Sequence, residues 1–264
     1  HLAVGGQARE EGADIEAAVT ADGVLLGVKI DAKLNLGAYA CDPFSGAIYV
    51  DSLSTAFQGP TKLEGIGAKH VSVFSNKATY VAYRGPWATG DFLRERLLDV
   101  IARELGIDPL EVRRRNYVER DVPPLAMLTG QPFVGVTTRE QVEQAAAITD
   151  WDGFRNRQAA ALAEGRYLGI GMAAYLEAAP GPRIPGQEDM ASMIMGQEVA
   201  KISLDDDGTI VIVTRQQPHG QSHETTLAQV ASDELSVRFE DVRVVFGDTD
   251  VTPVALVGTG GSRA

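Results

Sequence analysis

The sequence predicts an α+β chain in which a hairpin–helix unit occurs twice, once in each of two lobes. Three observations point there. Alternating apolar runs flank a turn ending in Asp-Gly in each half, and a helix with one apolar stripe follows each hairpin. The helix ends also repeat: "ELGIDPLEV" from Glu104 and "ELSVRFEDV" from Glu234 set Leu105, Ile107 and Val112 against Leu235, Val237 and Val242 at identical spacing. Such a repeat presents a turn at a helix N-terminus in each copy, and a ligand could sit between the copies.

Taken in order, "ADIEAAVT" and "VLLGVKIDAKLNLGAYA" flank Ala21, Asp22 and Gly23 and read as a hairpin. "KHVSVFSNKATYVAYRG" continues the β-type alternation up to the Gly85-Pro86 turn. Leu93, Leu97, Ile101 and Leu105, widened by Leu98 and Val100, then form a helical stripe that Gly106 ends. Asp108, Pro109 and Glu111 supply a cap, a first-position proline and a third-position acid for a short helix toward Asn116. Residues 119–136 hold prolines and glycines without periodicity and read as a connector. Thr138 with Gln141 resembles a capping box, and Trp151, Phe154 and Leu162 predict helix up to Gly165. Strand is expected again over "YLGIGMAAYLEAA", followed by a surface loop at "APGPRIPGQEDM". A second hairpin joins "QEVAKISL" to "TIVIVTRQ" around Asp205–Gly208. A helix then carries Leu227, Val230, Ala231 and Leu235, and "VRVVF" reads as a last strand.

Composition narrows the partners. The 264 residues carry a formal charge of −12, which disfavours nucleic acid and anionic membranes, since both call for clustered Lys and Arg. Cys41 is the only cysteine, so the chain has no internal disulfide and no cysteine-ligated cluster of its own; a reducing cytoplasmic setting fits. No apolar run of membrane-spanning length and no signal-peptide pattern is present. The chain opens at His1 and stops in a glycine-rich turn, which leads us to expect an internal piece of a longer protein.

Three stretches carry candidate chemistry. In "PHGQSHETT", His219 and His223 stand four apart, but no cysteine accompanies them and only His1 and His70 remain as further imidazoles, so no metal ligands are assigned. The same turn, capped by Ser222, opens a helix whose free N–H groups and dipole attract an anion, with Gly220 permitting close approach and Gln221 offering donor and acceptor. A capped helix with solvent-facing histidines fits the residues equally well. The terminal Thr259, Gly260, Gly261, Ser262 and Arg263 could form a nest of N–H groups for phosphate, or an ordinary turn; the lysine of a Walker loop is missing. Arg84, Gly85, Pro86 and Trp87 set a guanidinium and an indole at a turn, where they could flank a planar polar ligand. Glu224, Asp248 and Asp250 lie near these turns without forming an evident acid–base pair, and no Ser or Cys nucleophile motif occurs.

Together, "VAYRGPWATGDFLRERLLDVIARELGIDPLEVRRRN", "GQSHETTLAQVASDEL" and "VRVVFGDTDVTPVALVGTGGSRA" resemble the molybdopterin-binding large subunit of the xanthine dehydrogenase, aldehyde oxidase and aerobic carbon monoxide dehydrogenase family, in the family's own order. The resemblance implies repeated α+β units in two lobes that clamp a molybdenum–molybdopterin cofactor, often in its cytosine dinucleotide form. Residues 1–120 would be the second part of the first lobe, 121–165 a connector with helices, and 166–264 the first part of the second lobe. His219, Gly220, Gln221 and Ser222 would belong to the cofactor cradle, Thr259 to Arg263 would wrap its pyrophosphate, and Arg84 to Trp87 would face the substrate. The metal would be held by the cofactor's sulfurs and not by side chains. The activity implied is oxidation of an aldehyde, an N-heterocycle or CO with water-derived oxygen, with iron–sulfur and FAD subunits or domains as partners.

Two departures qualify that picture. Copper-dependent CO dehydrogenases carry a cysteine where Gly85 stands, which argues against copper. The glutamate that serves the family as general base, in a Gly-Glu-Gly context, is missing, and neither Glu188 nor Glu198 replaces it. The piece alone is expected to be inactive. The competing expectation is an anion- or nucleotide-binding module without redox chemistry.

Overall fold

The computed structural model describes residues 10–39, 46–81, 87–130, 132–133, 135–176, 200–218 and 220–252, and it divides into two compact units, His1–Glu177 and Ala178–Ala264. Cys41 and the "APGPRIPGQEDM" loop lie outside the described residues.

In the first unit, strand β1 (Glu11–Val19) pairs antiparallel with β2 (Leu25–Asn35), placing Ile15 opposite Ile30. The turn between them works as the sequence predicts. Gly23 takes φ 87°, a left-handed value that glycine tolerates, and the Val24 N–H donates to Thr20 Oγ1 at 2.9 Å. Strict alternation on β2 sends Val28, Ile30, Ala32 and Leu34 into the core.

Helix α1 (Gly46–Phe57) follows, and it has no counterpart in the sequence reading. It returns the chain so that β3 (Gly65–Val73) lies parallel to β2, from Gly27 beside Gly65 to Asn35 beside Val73. A parallel neighbour needs such a crossover. The strand ends at Val73, so the alternation from Phe74 to Tyr83 is not continued as a described strand.

Helices α2 (Trp87–Leu105) and α3 (Pro109–Asn116) meet at Gly106, whose φ of 66° closes α2. The Asp108 side chain caps α3 by accepting from the Leu110 N–H at 2.8 Å, as expected. The buried face of α2 is rotated from the predicted stripe: Asp91, Arg94, Glu95, Leu98, Ile101 and Ala102 are buried, whereas Leu105 is exposed. Charged residues share the inner face, and an apolar count alone therefore misplaces it.

Helix α4 (Thr138–Ile148) starts where expected, but its cap position is Thr137 and no side-chain capping bond forms. The Gln141 side chain instead donates to Thr137 Oγ1 at 2.8 Å. Helix α5 (Trp151–Ala163) inserts Trp151 and Ala161 and leaves Leu162 exposed. The strand expected from Tyr167 onward is not formed over 167–176. That stretch is irregular, and its Ile170, Met172 and Ala174 pack against the first core. The core itself joins β2, Leu53 and Phe57 of α1, Leu98 of α2, Val112 of α3 and Trp151 of α5. Each fully buried leucine or phenylalanine there stabilises the unit by roughly 1.5–3 kcal/mol.

The second unit repeats the opening of the first. Strands β4 (Ala200–Leu204) and β5 (Ile210–Thr214) form the predicted hairpin, with Gly208 at φ 88° in its turn. Helix α6 (His223–Leu235) follows, then a 3-10 turn (Phe239–Asp241), and β6 (Val242–Val245) pairs parallel with β5 from Ile210 beside Val242 to Val213 beside Val245. Both units thus read antiparallel hairpin, helix, parallel strand. The topological partner of α6 is α1, although the similarity in sequence lies between the ends of α2 and α6. Those ends do share a motif: Gly106 and Ser236 both take positive φ, with Ile107 N–H donating to Ala102 O and Val237 N–H to Ser232 O. On α6 the buried residues are His223, Ala228 and Ala231, while Val230 and Leu235 of the predicted stripe are exposed.

Candidate functional site

Parallel pairing decides where the candidate loops leave each sheet. Because β5 and β6 run the same way, the turn after Thr214 and the loop after Val245 emerge at one edge of their sheet. The carboxyl ends of parallel strands are where open α/β sheets collect ligands. The turn is built stepwise. Gln216 is buried, with its N–H donating to Thr214 Oγ1 at 3.2 Å, and the Gln221 N–H donates to Pro218 O at 2.6 Å. Gly220 takes φ 84° and has open space where a Cβ would be. Gly220, Gln221 and Ser222 are all exposed and lead directly into α6.

Ser222 corrects the expectation placed on it. It occupies the cap position of α6, but at φ 58° its side chain makes no capping bond, and only its carbonyl is used, by the Thr225 and Thr226 N–H groups at 3.0 Å each. A cap side chain reaches the first-turn N–H groups from extended backbone, which Ser222 does not adopt. His223 is corrected too. The reading of a solvent-facing side chain fails for His223, which is 3% exposed; its Nδ1 has no hydrogen-bond partner. The neighbouring loop at the same edge is self-contained: Asp248 accepts from the Asp250 N–H at 2.9 Å through its side chain and from Thr252 through its carbonyl.

The first unit has the equivalent edge beyond Asn35 and Val73, and here two loops are laced together. Leu36 N–H donates to Val73 O at 2.8 Å, Ser75 N–H to Gly37 O at 3.0 Å and Tyr80 N–H to Leu36 O at 2.9 Å. Gly37 at φ 73° sits so close to Ala78 that a Cβ would overlap its carbonyl. This laced edge leads toward α2, which Trp87 opens. The Trp87 side chain, Arg84, Gly85, Pro86, His219, Thr259, Gly260, Gly261, Ser262 and Arg263 lie outside the described residues.

Behind α2 stands a buried ionic network that the sequence reading missed. Glu95 accepts from Arg94 Nε at 3.0 Å, from Arg113 Nε at 2.9 Å and from the Tyr117 hydroxyl at 2.8 Å. Arg94 also pairs with Asp91 at 2.6 Å and donates to Phe57 O at 3.3 Å and Ala174 O at 2.6 Å. Arg113 pairs with Asp99 at 3.0 Å. Burial, with the Glu95 charge beside it, pushes the Tyr117 hydroxyl far above the ordinary tyrosine range, so it stays a proton donor. Desolvation opposes the charge on Arg113, yet the Glu95 and Asp99 carboxylates outweigh it and hold the guanidinium protonated. The signal was present in sequence: Asp91, Arg94 and Glu95 continue the helical spacing of Leu98, Ile101 and Ala102. Among the described residues, no group of three or more His, Cys, Asp or Glu side chains is placed to hold a metal ion, and no helix is long and apolar enough to cross a membrane.

Comparison with known proteins adds what geometry cannot. Two family models, both described as molybdopterin cofactor-binding domains, match residues 1–117 and 144–264. The chain is 31% identical over its whole length to the nicotine 6-hydroxylase large subunit of Paenarthrobacter nicotinovorans, covering 32% of that protein. It is 28% identical over 97% of its length to the carbon monoxide dehydrogenase large chain of Hydrogenophaga pseudoflava, again covering 32% of the relative. Among solved structures, quinoline 2-oxidoreductase from Pseudomonas putida 86 superposes with a TM-score of 0.81 at 29% identity, over 92% of this chain and 31% of that one. The chain therefore spans about a third of the length of the relatives it matches.

Proposed function

The chain belongs to the molybdopterin cofactor-binding family of molybdenum hydroxylase large subunits, and we propose that the turn at His219, Gly220, Gln221 and Ser222 forms part of the cradle for that cofactor. The observation that carries this reading is the α6 N-terminus: an exposed Gly220–Gln221–Ser222 turn, and beside it a buried imidazole nitrogen without a partner. These features fit an anionic, oxygen-rich group. Gly220 leaves the backbone open to close approach, the first-turn N–H groups of α6 carry the positive end of the helix dipole, and the Gln221 amide both donates and accepts.

Bound there, the cofactor would supply two-electron redox chemistry and oxygen drawn from water. The chain's own part is to bind and orient. Thr259, Gly260, Gly261, Ser262 and Arg263 are assigned to the pyrophosphate, in a cytosine dinucleotide form of the cofactor, and Arg84, Gly85, Pro86 and Trp87 to the substrate side. In lobe terms, residues 1–120 and 166–264 supply the two cofactor-binding parts, with 121–165 between them. The general-base carboxylate is assigned to a part of the large subunit that this sequence does not contain, so the chain by itself does not turn over substrate.

For the whole enzyme we assign oxidation of an aldehyde or an N-heterocycle in the cytoplasm, with electrons leaving through iron–sulfur and FAD partners. Similarity to nicotine and quinoline enzymes supports the heterocycle, and Gly85 in the position of a copper-binding cysteine disfavours CO. The test is a substrate screen on the intact enzyme with a dye acceptor. Reduction with a pyridine, a quinoline or an aldehyde is expected; reduction driven by CO alone would contradict the assignment. The chain of 264 residues on its own should reduce no dye.

A further inference from the structure

We propose that Tyr80 and Glu11 are positioning residues for the loop assigned to the substrate, Arg84 to Trp87: the Tyr80 hydroxyl, bonded to the Glu11 carboxylate, fixes where that loop leaves the sheet. The inference deepens the proposed function and rests on its assignment of the loop to the substrate side. It starts from the chain four residues upstream of Arg84. Tyr80 is 3% exposed, it belongs to the first core, and its N–H donates to Leu36 O at 2.9 Å. Its hydroxyl donates to Glu11 Oε1 at 2.8 Å, which carries the tie to the first residue of β1. Beside it, Glu10 pairs with Lys77 at 2.5 Å, so two side chains strap the segment before the loop to the start of β1. Glu11 stands on the face of β1 that turns Ala13 and Ile15 toward the core, where an apolar side chain is the less costly choice. Its Oε2 is shut off from solvent and has no hydrogen-bond partner among the described residues. The carboxylate therefore works against stability where it stands, and packing does not explain it. The bond it does make goes to the residue that leads into the loop.

The far side of the loop is fixed by different means. Trp87 opens α2, and Gly90 brings the first turn of that helix so close to α1 that a Cβ there would meet Leu53 O and Phe57 N at 3.1 Å. Arg94 then donates to Phe57 O at 3.3 Å. Downstream the hold is backbone packing and a buried ion network, whereas upstream the tie to β1 rests on the Tyr80 hydroxyl and the exposed Glu10–Lys77 pair. With both flanks fixed, the guanidinium and indole assigned to the substrate are offered in one place, and less ordering remains to be done on binding. Losing the hydroxyl weakens the hold on substrate and transition state alike, which raises KM and spares kcat.

The experiment uses the intact enzyme purified with the subunits that accompany it, as wild type, Tyr80→Phe, Glu11→Gln, Glu11→Leu and the double variant Tyr80→Phe/Glu11→Leu. Each form is assayed with quinoline, a pyridine and an aldehyde against a dye acceptor, rates are expressed per bound molybdenum, and the melting temperature is recorded. Phe keeps the ring in the core and removes only the hydroxyl, Gln keeps an oxygen that accepts from it, and Leu keeps none. In Tyr80→Phe and Glu11→Leu, KM is expected to rise about fivefold, the loss that follows from one hydrogen bond, with kcat within about twofold. Glu11→Gln should stay within about twofold of wild type in both constants, and the double variant should match either single one. An unchanged KM in Tyr80→Phe or in Glu11→Leu would overturn the proposal; a lower melting temperature with KM intact would mark a purely structural tie. Effects that multiply in the double variant would overturn it too, because the two residues would then act separately. Trp87→Ala, assayed alongside, tests the loop: an unchanged KM there removes the substrate-side assignment and this proposal with it, whereas a wild type that contains no molybdenum overturns the molybdopterin reading on which both stand.

Discussion

Gly59 packs directly against the guanidinium of Arg94, with φ at 47°, so that any Cβ at that position would overlap Nη1. One glycine thereby makes room for the cation that joins three segments of the first unit: α2 through Asp91 and Glu95, the end of α1 through Phe57 O, and the chain after α5 through Ala174 O. Gly59→Ala must therefore both hold a left-handed residue and displace a buried charge. We expect a loss of at least about 2 kcal/mol, read as a lower denaturation midpoint for the first unit.

Glu95 is the anionic centre of the same network, shared by two fully buried arginines and Tyr117. Replacing it with alanine leaves two buried cations short of a partner. The expected cost is about 3–5 kcal/mol, a large share of a domain's total stability, so Glu95→Ala should give little folded protein at 37 °C. A variant as soluble and stable as wild type would contradict the network's role.

Tyr117 links that network to pH. Its hydroxyl is held protonated in the folded chain by burial and by the Glu95 charge, whereas in the unfolded chain it ionises near the ordinary value of about 10. Above that pH the unfolded state sheds a proton that the folded state keeps, so stability is full below about pH 10 and falls as pH rises beyond it. Tyr117→Phe should flatten this alkaline decline while lowering stability at neutral pH by about 1–3 kcal/mol, through loss of the bond to Glu95. Urea titrations of both proteins between pH 7 and 11 measure it.

Asn116 ties the first hairpin to α3. Its Oδ1 accepts from the Leu25 N–H at 2.7 Å, and its Nδ2 donates to Gly23 O and Val112 O at 2.8 Å each, all without solvent exposure. In Asn116→Ala the Leu25 amide loses its acceptor, and its hydrogen exchange should accelerate selectively, with about 2–3 kcal/mol lost overall. Unchanged exchange at Leu25 would show that the staple does not hold the turn.

At Ser222 the direction reverses. Glycine there relieves a left-handed serine whose side chain caps nothing, offset by the greater freedom glycine gives the unfolded chain. Ser222→Gly should raise the stability of the second unit by up to about 1 kcal/mol, seen as a higher denaturation midpoint.

What the sequence made legible follows from how local each signal is. The Asp-Gly hairpins, the Asp108 cap and the stop at Gly106 depend on residues within one turn, and each reads directly. Helix α1 did not. "GAIYVDSLSTAF" opens with glycine and carries β-branched and aromatic residues of modest helix propensity, and its helicity comes from burying Val50, Leu53 and Phe57 against the sheet. With α1 unseen, the parallel placement of β3 could not be derived, because that pairing requires a crossover between the strands. The repeat was recognised through the shared ends of α2 and α6, while in topology α1 of the first unit corresponds to α6 of the second. At the candidate site, the placing of Gly220 and Gln221 in an exposed turn before a helix was legible, because the apolar periodicity that begins at Leu227 marks where the helix follows. His223 was not, since its burial depends on how the helix rotates on the sheet.

The central claim is that this chain helps to build a molybdopterin cradle. Its most direct test is the molybdenum and pterin content of the intact enzyme, purified with whatever subunits accompany it from cells that make the cofactor. Equimolar molybdenum, pterin and large subunit is the result the account predicts. An enzyme that contains neither would contradict it and leave the turn at Gln221 as an anion site without redox chemistry.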